Sequence, residues 1–254
     1  TIARTNIFAN SAFVLASMHE SLGQQEDALA MADHIVNVML EKRHPVLLPV
    51  AKAFQADLAL RQGHLSQAVR WAQDFDPGPP TAMYLAYIPA FTLAKTLLAE
   101  NTEQSLSRLG PLLDQLTDFV SSTHNRRFKI DVLAIRALML EHQGDEVGSR
   151  RELDKAVRLA QPAGFIRALV DLGPGIVRLL PRLELDDEGQ RYVGRILAAF
   201  KGDPTVGPTP SSASTDQSPP SHPLSKRELE VLALLAERLS NKEIAKGSTF
   251  RLRP

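Results

Sequence analysis

A pair of helices that recurs about every 40 residues constrains the fold of this chain more than any other sequence feature. Residues 13–36 and 54–75 share one pattern: an apolar helix with small residues on one face, a turn, and a second helix. Two more copies follow, and the four turns fall at Gly23, Gly63, Asn101 and Gly144. Apolar residues recur at three- and four-residue spacing, which is typical of amphipathic helices. The repeat therefore predicts an all-α solenoid of the tetratricopeptide kind.

The segment that follows the fourth copy differs from the repeats. Prolines and glycines between residues 162 and 175 break the chain into shorter helices, of which the last is predicted over 187–200. A helix pair cannot bury its apolar stripe alone, so a stack exposes apolar surface at its ends. We expect these shorter helices to cap the open end, and the curved stack to present a concave wall to a ligand or peptide.

Four residues are candidates for an effector-binding groove on this wall. Tyr84 lies three residues before Tyr87, and Tyr87 lies four residues before Phe91. We place all three on the first helix of the third copy. Arg126 and Arg127 open the fourth copy, where a basic cluster could recognise an anionic inducer. The competing interpretation of the aromatic residues is that they pack in the core. The competing interpretation of the arginines is that they lie on a solvated surface.

The charges and prolines divide the chain into three parts, although its formal net charge is zero. Residues 224–254 hold seven basic and four acidic side chains, a net charge of +3, which leaves −3 for the rest. Residues 203–223 hold six of the 17 prolines and no Leu, Ile, Phe, Lys or Arg, a composition that buries too little apolar surface to fold. We therefore expect a helical-repeat domain over 1–202, a flexible linker over 203–223 and a short basic domain over 224–254.

Several function classes are excluded by what the sequence lacks. Without cysteine there is no disulfide framework, thiol nucleophile or Cys-ligated zinc. The seven histidines show no metal-ligand spacing, and no G-x-S-x-G nucleophile motif occurs. No apolar run approaches the ~20 residues that cross a bilayer. We expect a cytoplasmic, soluble protein that is not an enzyme, has no catalytic residues, holds no metal and does not bind membranes.

The basic domain contains two helix starts. Ser225 with Glu228, and Ser240 with Glu243, each form an S-x-x-E capping box, in which the two side chains bond reciprocally to backbone N–H groups. Two helices are therefore predicted to begin near residues 226 and 241. Capping boxes are common and indicate no function by themselves.

The residue order in this segment resembles the start of the LuxR-type DNA-binding domain, whose pattern opens Leu-Ser-x-Arg-Glu-x-Glu-Val-Leu and continues Leu-Ser-Asn-Lys-Glu-Ile-Ala. The matching residues are Leu224, Ser225, Arg227, Glu228, Glu230, Val231, Leu232, Leu239, Ser240, Asn241, Lys242, Glu243, Ile244 and Ala245. Arg238 departs from the pattern, since the family has glycine there. The resemblance implies a helix-turn-helix that binds DNA, with Lys226, Arg227 and Lys242 as candidates for phosphate contacts.

The repeats extend the resemblance to the large ATP-binding, MalT-like LuxR regulators. In those proteins the last repeat is followed by a stretch resembling Ala-x-Pro-x-Gly-Tyr-x-Arg-x-x-x-Asp-x-Gly. The residues here are Ala160, Pro162, Gly164, Phe165 in place of tyrosine, Arg167, Asp171 and Gly173. The resemblance implies a sensor that binds a small-molecule inducer or a regulatory protein. It implies ATP only for an N-terminal module whose G-x-x-x-x-G-K-[ST] loop does not occur here, so we expect no cofactor in these residues.

The family places its recognition helix after Ile-Ala, whereas residues 246–254 do not match the expected pattern. We therefore expect a partial helix-turn-helix that lacks this helix, binds DNA weakly, and belongs to a central-to-C-terminal piece of a larger regulator. The alternative is a freestanding helical-repeat adaptor that binds peptides and has no role at DNA. The sequence leaves the oligomeric state open, a homo-oligomer included.

Overall fold

The computed structural model describes residues 2–78 and 87–200, and these residues form helices joined by short turns. The α-helices are α1 (Ile2–Ser21), α2 (Gln25–Glu41), α3 (Leu47–Arg61), α4 (Leu65–Asp74), α5 (Pro89–Glu100), α6 (Glu103–Ser122), α7 (Arg126–His142), α8 (Glu146–Ala160), α9 (Ile166–Val170), α10 (Pro174–Leu179) and α11 (Asp187–Phe200). Short 3-10 segments follow α8 and α10. Within these ranges there is no β-strand, which confirms the all-α prediction.

The first eight helices form four consecutive pairs, as the repeat predicts. In each pair the two helices pack on each other, and the second helix also packs on the first helix of the next pair. The first helices α3, α5 and α7 are neighbours as well, since α5 contacts both α3 and α7. This stacking buries the apolar stripe of each helix against its neighbours and produces a solenoid. We call the face formed by the first helices the inner face.

The turn within each pair uses a left-handed backbone conformation. Gly23, Gly63 and Gly144 have φ values of 75°, 83° and 81°. Asn101, which ends α5, has φ of 50° and occupies the same place in the third pair. Glycine adopts this conformation without strain, and asparagine tolerates it better than most residues. The third pair therefore keeps the same turn without a glycine.

Side-chain caps fix the starts of α6, α7, α8 and α11, the last through the Asp186 carboxylate, which accepts from the Gly189 amide. Thr102 and Ser105 form a capping box at the start of α6, and the Asn125 side chain accepts from the Phe128 amide at the start of α7. The Asp145 carboxylate accepts from the amide of Gly148, where a Cβ would lie 2.2 Å from Asp145 Oδ2. Gly148 is therefore required by the cap on α8.

The buried apolar residues form two clusters. One joins the first and second pairs and includes Phe13, Met39 and Phe54. The other, much larger, extends from α4 of the second pair to α11 and includes Leu113 and Ile135. Helices α9 and α10 pack on α7, and α11 packs on α8 and α9, so the segment after the fourth pair covers one end of the stack.

Several predictions lie outside the described residues. These are the linker over 203–223, the basic domain over 224–254 with Lys226, Arg227 and Lys242, and the groove candidate Tyr84. Within the described ranges, no helix has the length and apolar character that crossing a bilayer requires.

Candidate effector-binding cavity

A cavity of about 640 Å³ lies on the inner face, and we call it the inner cavity. Its walls come from α3, α5 and α7, the first helices of the second, third and fourth pairs, from Glu20 of α1 in the first pair, and from the segment 167–178, which includes most of α10. None of the second helices α2, α4, α6 and α8, all within the described part, contributes a wall. Its size falls within the range of small-molecule sites, roughly 300–1,000 Å³.

A carboxylate with two cationic partners lies in the wall of this cavity. Asp57 is 1% exposed, on an otherwise apolar stretch of α3. Its Oδ2 accepts a hydrogen bond of 2.8 Å from Arg61 Nε, one turn later on the same helix. Its Oδ1 accepts one of 3.0 Å from Lys95 Nζ, which reaches across from α5. Both oxygens of a buried charge are therefore bonded, which limits the cost of its desolvation.

Arg61 extends this cluster across the cavity. Its NH1 group donates to Asp171 Oδ2 at 3.0 Å, a contact between residues 110 positions apart. Asp171 Oδ1 lies 2.7 Å from a nitrogen of Arg167, four residues earlier in the chain. The ionic cluster of Lys95, Asp57, Arg61, Asp171 and Arg167 thus ties the second and third pairs to the segment after the fourth pair.

Asp57 and Arg61 keep their charges at neutral pH. Burial raises the pKa of Asp57, but the positive charges of Arg61 and Lys95 outweigh burial and lower it to about 2. Burial lowers the pKa of Arg61, but the negative charges of Asp57 and Asp171 outweigh burial. The net effect is a raised pKa for Arg61. Opposite charges in contact favour the ionised form of each other. Asp57 and Arg61 are therefore fixed charges in the wall of the inner cavity.

Other side chains complete the lining. Leu60, Leu98, Leu138 and Val170 supply apolar surface. Glu20 accepts a hydrogen bond of 2.8 Å from Gln62 Nε2. Arg178 lines the cavity, is exposed, and makes no ion pair with any residue in the described ranges. The cavity thus combines apolar walls with a few charged groups, the usual makeup of a ligand site.

A second buried carboxylate, Asp131 on α7, lies close to the inner cavity without lining it. Its Oδ2 is 2.5 Å from Arg127 NH1, four residues earlier on the same helix. Burial raises the pKa of Asp131, and the charge of Arg127 with that of Lys95 reduces this rise without reversing it. Arg127, predicted as a groove residue, therefore contacts Asp131 and is not part of the cavity lining.

The other predicted groove residues that the structure describes also lie outside the inner cavity. Arg126 is exposed at the first position of α7. Tyr87 lies before α5, which begins at Pro89, so placing it on one helix with Phe91 was wrong. Pro89 begins the helix because proline is favoured at the first helical position.

Tyr87 and Phe91 instead contact two different groups of aromatic residues. The Tyr87 ring packs against Phe13 and Phe54, with centroids 6.0 and 5.4 Å away, and its hydroxyl bonds to Thr92. Phe91 stacks on Phe128 at 5.0 Å. Both contacts are the core packing that was the competing interpretation of these residues.

Asp57, Arg61 and Lys95, the three residues at the centre of the ionic cluster, are not among the residues predicted from the sequence. The signal was present, because Asp57 and Lys95 interrupt apolar stretches of first helices. A charged residue on a helix that is apolar on most sides is expected to have a partner. Among the described residues no group of acidic or histidine side chains is arranged to hold a metal ion.

Two family models match the chain. The model of the MalT-like TPR region matches residues 3–186, which include all four helix pairs and the segment that closes the inner cavity. The model of bacterial regulatory proteins of the luxR family matches residues 222–247. Neither the curated proteins nor the solved structures gave a match to the chain. The two matches agree with the two resemblances found in the sequence.

Proposed function

Because this chain belongs to the family of MalT-like LuxR transcriptional regulators, we propose that its helical repeats are a sensor whose inner cavity binds an effector and thereby controls DNA binding. The observation that supports this proposal is that a match to the MalT-like TPR region is followed, in the same chain, by a match to the luxR family. A sensor and a DNA-binding segment in the same chain are coupled when the effector binds two states of the protein with different affinity. The luxR match disfavours the alternative of an adaptor without a role at DNA.

The inner cavity supports a small molecule as the effector. Its lining residues come from all four helix pairs and the following segment, so a ligand there contacts elements far apart in sequence. Rearranging such contacts changes how the pairs stack, which is how a local binding event reaches a distant segment. We further propose that no enzyme chemistry or cofactor is needed in these residues, with ATP confined to a separate module, and that the protein acts in the cytoplasm, where its DNA is.

A thermal-shift screen of small metabolites on the full chain tests effector binding. We expect a saturable rise in the unfolding midpoint with the effector, since a ligand that binds only the folded state stabilises it. Ala99 is exposed and lines the inner cavity, so Ala99→Phe should occupy the cavity and abolish the rise. Ala30→Phe is the matched control, because Ala30 is exposed on α2 outside the cavity. If Ala99→Phe left the rise intact, the effector would bind elsewhere.

For the LuxR-type segment we propose DNA binding through phosphate contacts of Lys226, Arg227 and Lys242. Residues 246–254 depart from the family pattern for the recognition helix, so we propose that this chain binds DNA without reading its sequence. About three phosphate contacts predict a slope of log affinity against log salt of roughly −3.

Fluorescence anisotropy with a labelled mixed-sequence duplex at several salt concentrations checks this slope. Lys242→Gln should weaken binding and reduce the slope by about 1. Arg191→Gln is the control, because Arg191 is an exposed arginine of α11 in the helical repeats. Selective retention of one sequence from a random duplex pool would contradict the proposal that the chain does not read bases.

A further inference from the structure

The side chains of the inner cavity offer more hydrogen-bond donors than acceptors. Four cationic side chains line the cavity, Arg61, Lys95, Arg167 and Arg178, against three carboxylates, Glu20, Asp57 and Asp171. A lysine ammonium has three N–H donors and a guanidinium has five, and neither can accept. An excess of donors and of positive charge favours a ligand rich in acceptors.

The carboxylates in the cavity already have partners. Both oxygens of Asp57 are bonded, one to Arg61 and one to Lys95. Both oxygens of Asp171 are in contact with arginines, and Glu20 accepts from Gln62. A cationic ligand at Asp57 or Asp171 would have to displace a lysine or arginine that is already bonded there, and the displaced cation would be left unpaired in the cavity wall. These two carboxylates therefore disfavour cations.

Three of the cations keep donors available. Lys95 Nζ makes one hydrogen bond, to Asp57, and Arg167 contacts Asp171 through one nitrogen. Arg178 makes no ion pair with the described residues, and it lies on α10, beside the segment that carries Arg167 and Asp171. Arginine groups hold carboxylates and phosphates through paired N–H donors. These three side chains line the same cavity and have donors available to an acid group.

The apolar part of the cavity lining indicates what the rest of the ligand, apart from its acid group, can be. The apolar walls formed by Leu60, Leu98, Leu138 and Val170 fit a short hydrocarbon skeleton. No phenylalanine, tyrosine or tryptophan from the described ranges lines the cavity, so those residues provide no stacking platform for a flat ring or a sugar face.

Resting on the proposed function, we infer that the effector is a small organic anion, a carboxylate or phosphate ester, whose acid group binds Arg178, Arg167 and Lys95 in the inner cavity. Arg61 positions this site, because it holds Asp57 and Asp171 and so leaves donors of Lys95 and Arg167 facing the cavity. The same acid group would compete with Asp171 for Arg167, and this competition links binding to the contact between the repeats and the segment 167–178.

The test is a thermal-shift titration of the full chain with succinate, citrate and inorganic phosphate, up to about 20 mM at constant ionic strength. Sucrose is the neutral comparison and putrescine the cationic one. We expect at least one anion to raise the unfolding midpoint saturably, and the pattern among the three separates a carboxylate site from a phosphate site. Arg178→Gln should weaken the apparent affinity about tenfold, Arg178→Lys should weaken it less, and Arg191→Gln should leave it unchanged.

The outcomes separate the anion inference from the sensor proposal. Failure of all three anions to saturate, or equal affinity in Arg178→Gln, would overturn the anion site. A saturable rise with sucrose that Ala99→Phe abolishes would also overturn it, but the sensor proposal would stand. If no small molecule gave a rise sensitive to Ala99→Phe, the sensor proposal would fail as well.

Discussion

Asp57 and Asp131 are two buried carboxylates on first helices of the solenoid, and each lies four residues from an arginine of its own helix. Their sequence context is therefore alike, yet the pKa of Asp57 is lowered to about 2 and that of Asp131 is raised. The difference lies in the partners from other helices. Asp57 receives a second hydrogen bond from Lys95 on α5, whereas Arg127 is the one cation in contact with Asp131 among the described residues.

A second contacting cation distinguishes Asp57, whose pKa is lowered, from Asp131, whose pKa is raised. One arginine on the same helix compensates desolvation only in part, since Arg127 is 38% exposed and shares its charge with solvent. Two cations that are themselves largely buried outweigh desolvation at Asp57. The charged wall of the inner cavity is therefore a stable element, while Asp131 is a carboxylate that the fold tolerates.

Replacing Arg61 or Arg127 should give the largest difference in the free energy of unfolding between the two carboxylate sites. Arg61→Met deprives two carboxylates, Asp57 and Asp171, of one partner each, and we expect it to lower the free energy of unfolding by about 3 kcal/mol. Arg127→Met affects Asp131 alone, whose raised pKa makes protonation easier, and we expect a loss of about 1 kcal/mol. Urea unfolding at neutral pH measures both values.

Arg158→Met is a control for the loss of an arginine side chain, since Arg158 pairs with Asp154 at the surface and its removal should leave the free energy of unfolding nearly unchanged. Equal losses in Arg61→Met and Arg127→Met would break the comparison, because they would show that the second cation does not matter.

Lowering the pH should change the stability of the fold in opposite directions through Asp57 and through Asp131. The pKa of Asp57 falls from 3.8 to about 2 on folding, so its ionised form contributes about 2 kcal/mol of stability above about pH 4. This contribution is lost as the pH falls through the folded-state pKa. Asp131 has a raised pKa, so its protonation in acid relieves a cost of the folded state. Urea unfolding between about pH 5 and about pH 2 should show a smaller loss in Asp57→Asn than in the wild type.

Asp154→Asn is the matched variant for this titration, because Asp154 is partly exposed and pairs with a surface arginine. It should follow the wild-type curve closely. An Asp57→Asn curve parallel to the wild type would instead assign the acid sensitivity to other groups.

The sequence predicted the repeats because their signals are local. A left-handed turn selects Gly63 or Asn101, and apolar spacing determines the buried face of each helix over a few turns. Both signals lie within one helix pair, so the four pairs and the last helix over 187–200 could be placed without knowledge of the packing. Tyr87 was misplaced because its spacing to Phe91 fits a helix, whereas Pro89 begins that helix two residues later.

The inner cavity could not be predicted in the same way. Its cluster joins Arg61 to Asp171 across 110 positions and Asp57 to Lys95 across 38. No periodicity connects residues this far apart, and their proximity depends on the angle at which the pairs stack. The sequence could only show that Asp57 and Lys95 are charged residues on apolar helices and so need partners.

The smallest expected effect is that of neutralising Asp131. Asp131→Asn removes a carboxylate whose pKa is higher in the folded state than in the unfolded chain, so the charge costs stability at neutral pH. We expect the free energy of unfolding to rise by up to about 1 kcal/mol, because the amide keeps the shape of the side chain and Arg127 remains partly solvated. Asp57→Asn should lower it by about 2 kcal/mol under the same conditions. Urea unfolding at neutral pH measures both, and a loss of stability in Asp131→Asn as large as that in Asp57→Asn would mean that one arginine suffices to stabilise a buried carboxylate in this solenoid. The role assigned to Lys95 would then have to come from ligand binding alone.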